Sequence, residues 1–154
     1  MKTIVIGVGN PIRRDDGIGV EVARLVREKI SRGDVRVTEV CAGGLRLVDE
    51  MAGYDRAIII DAIQTGGGAP GTVYCFAPQD LKPTLNTDCM HDTTLTDALN
   101  AGRELGIRLP DDITIFAVEA VDVDHFGESM TDEVAAAAGG VADRVLAMFG
   151  KECR

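Results

Sequence analysis

The chain has 154 residues, 45% apolar and 4% aromatic with no Trp, and a formal net charge of −9. That length suits a single domain over residues 1–154, with aliphatic, Ala and Gly contacts filling the core. The acidic balance excludes nucleic acid and anionic membrane surfaces as partners, because both call for Lys/Arg patches.

Thr3 to Val8 is a continuous β-branched apolar run, the pattern of a strand buried on both faces. It is too short for the apolar core of a signal peptide and runs into Asn10-Pro11 and charges. A loop from Gly9 to Asp16 follows. Ile18, Val22, Leu25, Val26 and Ile30 then recur at helical spacing, opposite Glu21, Arg24, Arg27 and Glu28. Residues 35–40 alternate as a second strand, Gly43-Gly44 breaks the chain, and residues 45–52 form a short helix. Ala57-Ile-Ile-Ile-Asp61 reads as a third buried strand ending in a carboxylate, and Thr72 to Phe76 as a fourth. A helix is expected over residues 94–105, a strand over 113–118, and a closing helix over 131–149 with Ser129 as its cap. Gly139-Gly140 lies inside that last helix, where it weakens the helix or admits a close neighbour.

Alternation of strands and helices implies an α/β fold with a mostly parallel sheet covered on both faces. Between the third and fourth strands, ten residues (62–71) with four glycines leave no room for a crossover helix. The fourth strand is therefore expected to run antiparallel. No stretch approaches the ~20 apolar residues of a membrane span. The four cysteines, Cys41, Cys75, Cys89 and Cys153, contain no C-x-x-C pair, and they read as reduced thiols of a cytoplasmic protein.

Ligands of open α/β sheets bind beyond the carboxyl ends of the strands. Three polar groups gather there: Asn10 to Asp16, Asp61, and Glu119. Another loop can bring in His91. Gly7-Val-Gly-Asn-Pro-Ile12 begins like a dinucleotide fingerprint, with Glu39 placed where a ribose-binding acid would stand. It has Ile12 in place of the third glycine, and two adjacent carboxylates that would repel a pyrophosphate. Asp16, Asp61 and His91 together offer two carboxylates and an imidazole, a set that suits Ni, Zn, Fe or Mn. Each also has a plainer role: Asp15 or Asp16 as a helix cap, Asp61 as a solvated strand end, His91 as a loop residue. His125, the other histidine, is the weaker ligand candidate. A Ser/His/Asp triad lacks a well-placed serine, since Ser31 ends the first helix and Ser129 precedes the last.

Ile-Val-Ile-Gly-Val-Gly-Asn-Pro-Ile-Arg-Arg-Asp-Asp-Gly-Ile-Gly (residues 4–19) resembles the opening signature of the [NiFe]-hydrogenase maturation endopeptidases. The similarity continues at Gly43-Gly44, Ile60-Asp61-Ala62, Pro70-Gly71-Thr72 and Met90-His91 with Leu95. It implies a three-layer α/β/α sandwich around a five-stranded, mostly parallel sheet with one antiparallel strand. It implies one proteolytic cut, removing the C-terminal extension of the hydrogenase large-subunit precursor once nickel is inserted. The catalytic and metal-contacting residues it implies are Asp16, Asp61 and His91, and the nickel is the substrate's rather than a permanent cofactor. Asp15 or Asp16 would serve as base, and the enzyme is expected to act as a monomer. Cys41-Ala42-Gly43-Gly44-Leu45 departs from relatives, which carry Asp before the glycine pair and Thr or Ser after it. A nucleotide-binding regulatory module and an autonomous metallohydrolase stand as the alternatives.

Overall fold

Ile58, Ile59 and Ile60 are all fully buried, and they mark the centre of the sheet, because a strand covered on both faces must be apolar on both. The computed structural model of the protein describes residues 1–41, 44–80 and 95–150. Its elements are β1 (Thr3–Val8), α1 (Ile18–Lys29), β2 (Val35–Val40), α2 (Leu45–Met51), β3 (Arg56–Ile63), β4 (Val73–Phe76), α3 (Leu95–Glu104), β5 (Asp112–Glu119) and α4 (Asp132–Ala147). Short 3-10 helices occupy Arg14–Gly17 and Pro78–Asp80.

The five strands form one sheet in the order β2-β1-β3-β5-β4. β2, β1, β3 and β5 are mutually parallel, and β4 pairs antiparallel with β5, as the short third connection requires. Side chains alternate across the sheet and create two cores. Val5, Ile58, Ile60, Phe116 and Val118 meet α1 and α4 on one face. Ile4, Ile6, Val8, Ile59 and Ile115 meet α2 and α3 on the other. Each fully buried Ile or Val contributes about 1.5–3 kcal/mol from burial, so the sheet centre anchors the three layers. The layers match the expected sandwich.

α1 sits unusually close to the sheet. A Cβ on Gly19 would lie 2.3 Å from the Ile60 carbonyl oxygen and 2.5 Å from that of Val8. Only a residue without a side chain lets the helix settle there.

Three details differ from the sequence reading. β3 runs two residues past Asp61 to Ile63, because Ile63 pairs with Glu119 and its carbonyl accepts the Ala120 N–H. Asp61 is thus inside the strand. The residue capping α4 is Thr131, not Ser129, and no side-chain capping bond is made. Gly139 and Gly140 are exposed, with nothing within 4 Å of a Cβ built on either, so close packing is not their role.

Candidate active site

At the carboxyl edge of β1 the chain turns sharply through Gly9, whose φ of 140° lies where side-chain-bearing residues are strained. The turn brings residue 16 back against the strand end. A Cβ on Gly9 would lie 1.9 Å from the Asp16 carbonyl oxygen and 3.2 Å from Asp16 Oδ1. The Asn10 N–H donates to Asp16 Oδ2 at 3.0 Å. Asp16 is 2% exposed and stands just before α1, where the positive end of the helix dipole favours a carboxylate.

Asp61 lies one residue beyond Ile60, which pairs with Gly7 of β1. It is fully buried, and its Oδ1 accepts the Ala62 N–H at 2.8 Å. By alternation with Ile59 it faces the layer of α2 and α3. Asp16 thus lies against the end of β1, and Asp61 two residues before the end of the neighbouring strand β3. His91 falls within 81–94, outside the described residues, as do Cys89 and Cys153. Among the described residues no group of three or more His, Cys, Asp or Glu side chains is gathered as a metal site. Cys41 and Cys75 are exposed and unpaired.

Asp15 does something different from its neighbour. Its side chain is fully buried and accepts hydrogen bonds from the Val121 and Asp122 N–H groups, both at 2.9 Å. It also accepts the Thr131 N–H at 2.7 Å and the Thr131 hydroxyl at 2.9 Å. The backbone repeats the tie. Arg14 N–H donates to the Gly127 carbonyl, Gly127 N–H to that of Ile12, and Asp15 N–H to that of Asp122. Arg14 adds an ion pair to Asp122 at 2.9 Å and a bond to the Ser129 carbonyl. Asp15 is thus a clamp between the loop after β1 and the segment leading to α4. Its two oxygens together accept the four hydrogen bonds from Val121, Asp122 and Thr131. Thr131, the partner that completes this clamp, carries no signal in the sequence beyond its position before α4.

Two other carboxylates flank the edge. Glu119 is nearly buried, which by itself pushes its carboxyl up. Hydrogen bonds from the Thr65 hydroxyl, the Thr65 N–H at 2.9 Å and the Tyr74 hydroxyl at 3.1 Å outweigh that and hold it below its ordinary value. Asp122 is lowered from 3.8 to about 2, above all by the His125 ring at 3.0 Å, with N–H donors from His125 and Asp124 acting against burial. His125 is otherwise exposed and belongs to this loop.

The edge does not suit a dinucleotide. The Asn10 N–H that a phosphate would need is taken by Asp16. Glu39, the candidate ribose acid, is paired with Arg24 at 3.0 Å and Arg27 at 2.9 Å.

Comparison with known proteins gives one consistent answer. A family model described as hydrogenase maturation protease matches residues 18–148. The Hydrogenase 2 maturation protease of Escherichia coli K12 is 31% identical over 137 residues, covering 86% of this chain and 82% of that protein. The solved structure of the hydrogenase maturating endopeptidase HybD from E. coli superposes with a TM-score of 0.77 at 27% identity, covering 97% and 92% of the two chains. The [NiFe] hydrogenase maturation protease HycI from Thermococcus kodakarensis shares the fold, with a TM-score of 0.70 at 21% identity and coverage of 94% and 89%. The matched length, the relative above 30% identity and the shared five-stranded sheet together place this chain in the hydrogenase maturation protease family.

Proposed function

We propose that the protein is a monomeric cytoplasmic endopeptidase that removes the C-terminal extension of a [NiFe]-hydrogenase large-subunit precursor after nickel insertion. The observation that carries this reading is two buried carboxylates, Asp16 beside the end of β1 and Asp61 near the end of the neighbouring β3, in a chain of the hydrogenase maturation protease family. The sequence enters α3 at Leu95 on the Asp61 face, and His91 precedes it by four residues. Carboxylate and imidazole donors together suit a borderline cation such as nickel.

In this reading the nickel arrives with the substrate and is recognised by Asp16, Asp61 and His91. It draws electron density from the scissile carbonyl. Water adds to the carbonyl carbon, the C–N bond breaks, and the departing amine takes up a proton. With Asp15 committed to its clamp, Asp16 is the carboxylate of the adjacent pair that accepts the proton of the attacking water. Among the described residues no helix is long and apolar enough to cross a membrane.

The test is intact mass spectrometry of a nickel-loaded large-subunit precursor incubated with wild type, Asp16→Asn, Asp61→Asn or His91→Ala. Wild type is expected to release one C-terminal peptide, and each variant to slow the cut by about 10²-fold or more. Equal cleavage of nickel-free precursor, or full activity of Asp61→Asn, would refute the reading.

A further inference from the structure

β3, β5 and β4 lie side by side, and their registers align Asp61 with Ala117 and Ala117 with Tyr74 in one row across the sheet. Two rows before it, on the same face, Ile59, Ile115 and Phe76 align. Ile59, Ile115 and Phe76 belong to the core under α2 and α3, so Asp61, Ile63, Tyr74 and Phe76 all project to that one face. A cavity of about 540 Å³ opens there, walled by Ile63, Tyr74 and Phe76, with Thr65 and Asp80 as its polar side chains. Its size is that of sites that hold a ligand group. Two strand spacings of about 4.8 Å separate Asp61 from Tyr74, a span that an extended peptide crosses in about three residues.

We infer that this cavity is the specificity pocket of the protease and receives a large apolar side chain of the precursor within about three residues of the scissile bond. The assignment rests on the endopeptidase reading of the Asp16–Asp61 edge. The walls are mainly aliphatic and aromatic, with Thr65 and Asp80 as the polar side chains. The nearest buried carboxylate, Glu119, already accepts bonds from the Thr65 N–H and hydroxyl and from Tyr74. Ile63, Tyr74 and Phe76 supply the apolar surface and Asp80 is exposed to solvent, so an apolar group fits the pocket better than a desolvated cation. Gly67 borders the opening, and a Cβ there meets nothing within 4 Å, so a larger side chain can be introduced there without a clash.

The experiment is a cleavage series on nickel-loaded large-subunit precursor, with the three residues on each side of the scissile bond changed singly to Ala, Leu, Phe or Lys. Wild type is compared with Gly67→Leu, which narrows the pocket, and Phe76→Leu, which widens it. One position is expected to favour Leu or Phe over Ala by about 10-fold or more in kcat/KM. At that position alone, Gly67→Leu should reverse the order and Phe76→Leu should shift it towards Phe. Absence of any such position, a preference for Lys there, or variants that slow every substrate equally would overturn the pocket while leaving the endopeptidase intact. A precursor that wild type leaves whole refutes the endopeptidase reading itself, and the pocket with it.

Discussion

Replacing Asp15 by Ala should destabilise the protein severely while leaving the chemistry of Asp16 untouched in principle. The carboxylate accepts three backbone N–H groups, those of Val121, Asp122 and Thr131, and one hydroxyl. The hydroxyl can rotate to another partner, but the three amides cannot. A buried donor left without an acceptor costs about 1–3 kcal/mol, and water entering the gap recovers part of it, so the expected loss is about 3–5 kcal/mol. Asp15→Asn keeps one oxygen for two of the amides and turns an NH₂ toward the third, for a loss of about 2 kcal/mol. For a domain of this size each kcal/mol moves Tm by about 2–4 °C, which puts the Ala variant about 10 °C below wild type. Urea unfolding at neutral pH, with unchanged slope, measures both values. An Ala variant within about 0.5 kcal/mol of wild type would refute the clamp. An Asn variant of native stability that no longer cuts precursor would make Asp15 a reacting group.

Gly19→Ala places a methyl 2.3 Å from the Ile60 oxygen and 2.5 Å from the Val8 oxygen, both backbone atoms with nowhere to go. A loss of about 3 kcal/mol or more is expected, visible as a lowered thermal midpoint, and a wild-type midpoint would mean that α1 can lift from the sheet at no cost. Asp122 sits at about 2 against 3.8, and Glu119 lies below its ordinary 4.5. Both folded values are depressed, so their stabilisation is complete above about pH 4.5 and is lost as pH falls towards 2. The urea midpoint should fall through that window, and Asp122→Asn should flatten the fall. An unchanged slope in that variant would count against the Asp122–His125 contact.

The buried strands were plain in the sequence because parallel strands covered on both faces need unbroken apolar runs, as in Thr3–Val8 and Ile58–Ile60. The antiparallel β4 was equally legible, since a connection of this length cannot carry a helix. The division of labour between Asp15 and Asp16 was not. Two identical adjacent carboxylates differ only in where a 3-10 turn aims them, and the partners that decide it, Val121 to Thr131, lie more than a hundred residues away. The same distance hid Thr131 behind Ser129 as the expected cap. Glu119 stood out as an edge carboxylate, but its partners Thr65 and Tyr74 arrive only through the β3–β4 turn.

The tie between Asp15 and Thr131 spans 116 residues, and this long closure has a consequence in time. Contacts so distant along the chain form only after the loop between them has been paid out and gathered in. A nascent chain that has emerged only as far as β5 has its first strand, first helix and both site aspartates, yet only local bonds such as that from Asn10 hold the loop bearing Asp16. Docking of the segment before α4 then adds the Asp15 bonds that tie this loop to the rest of the fold.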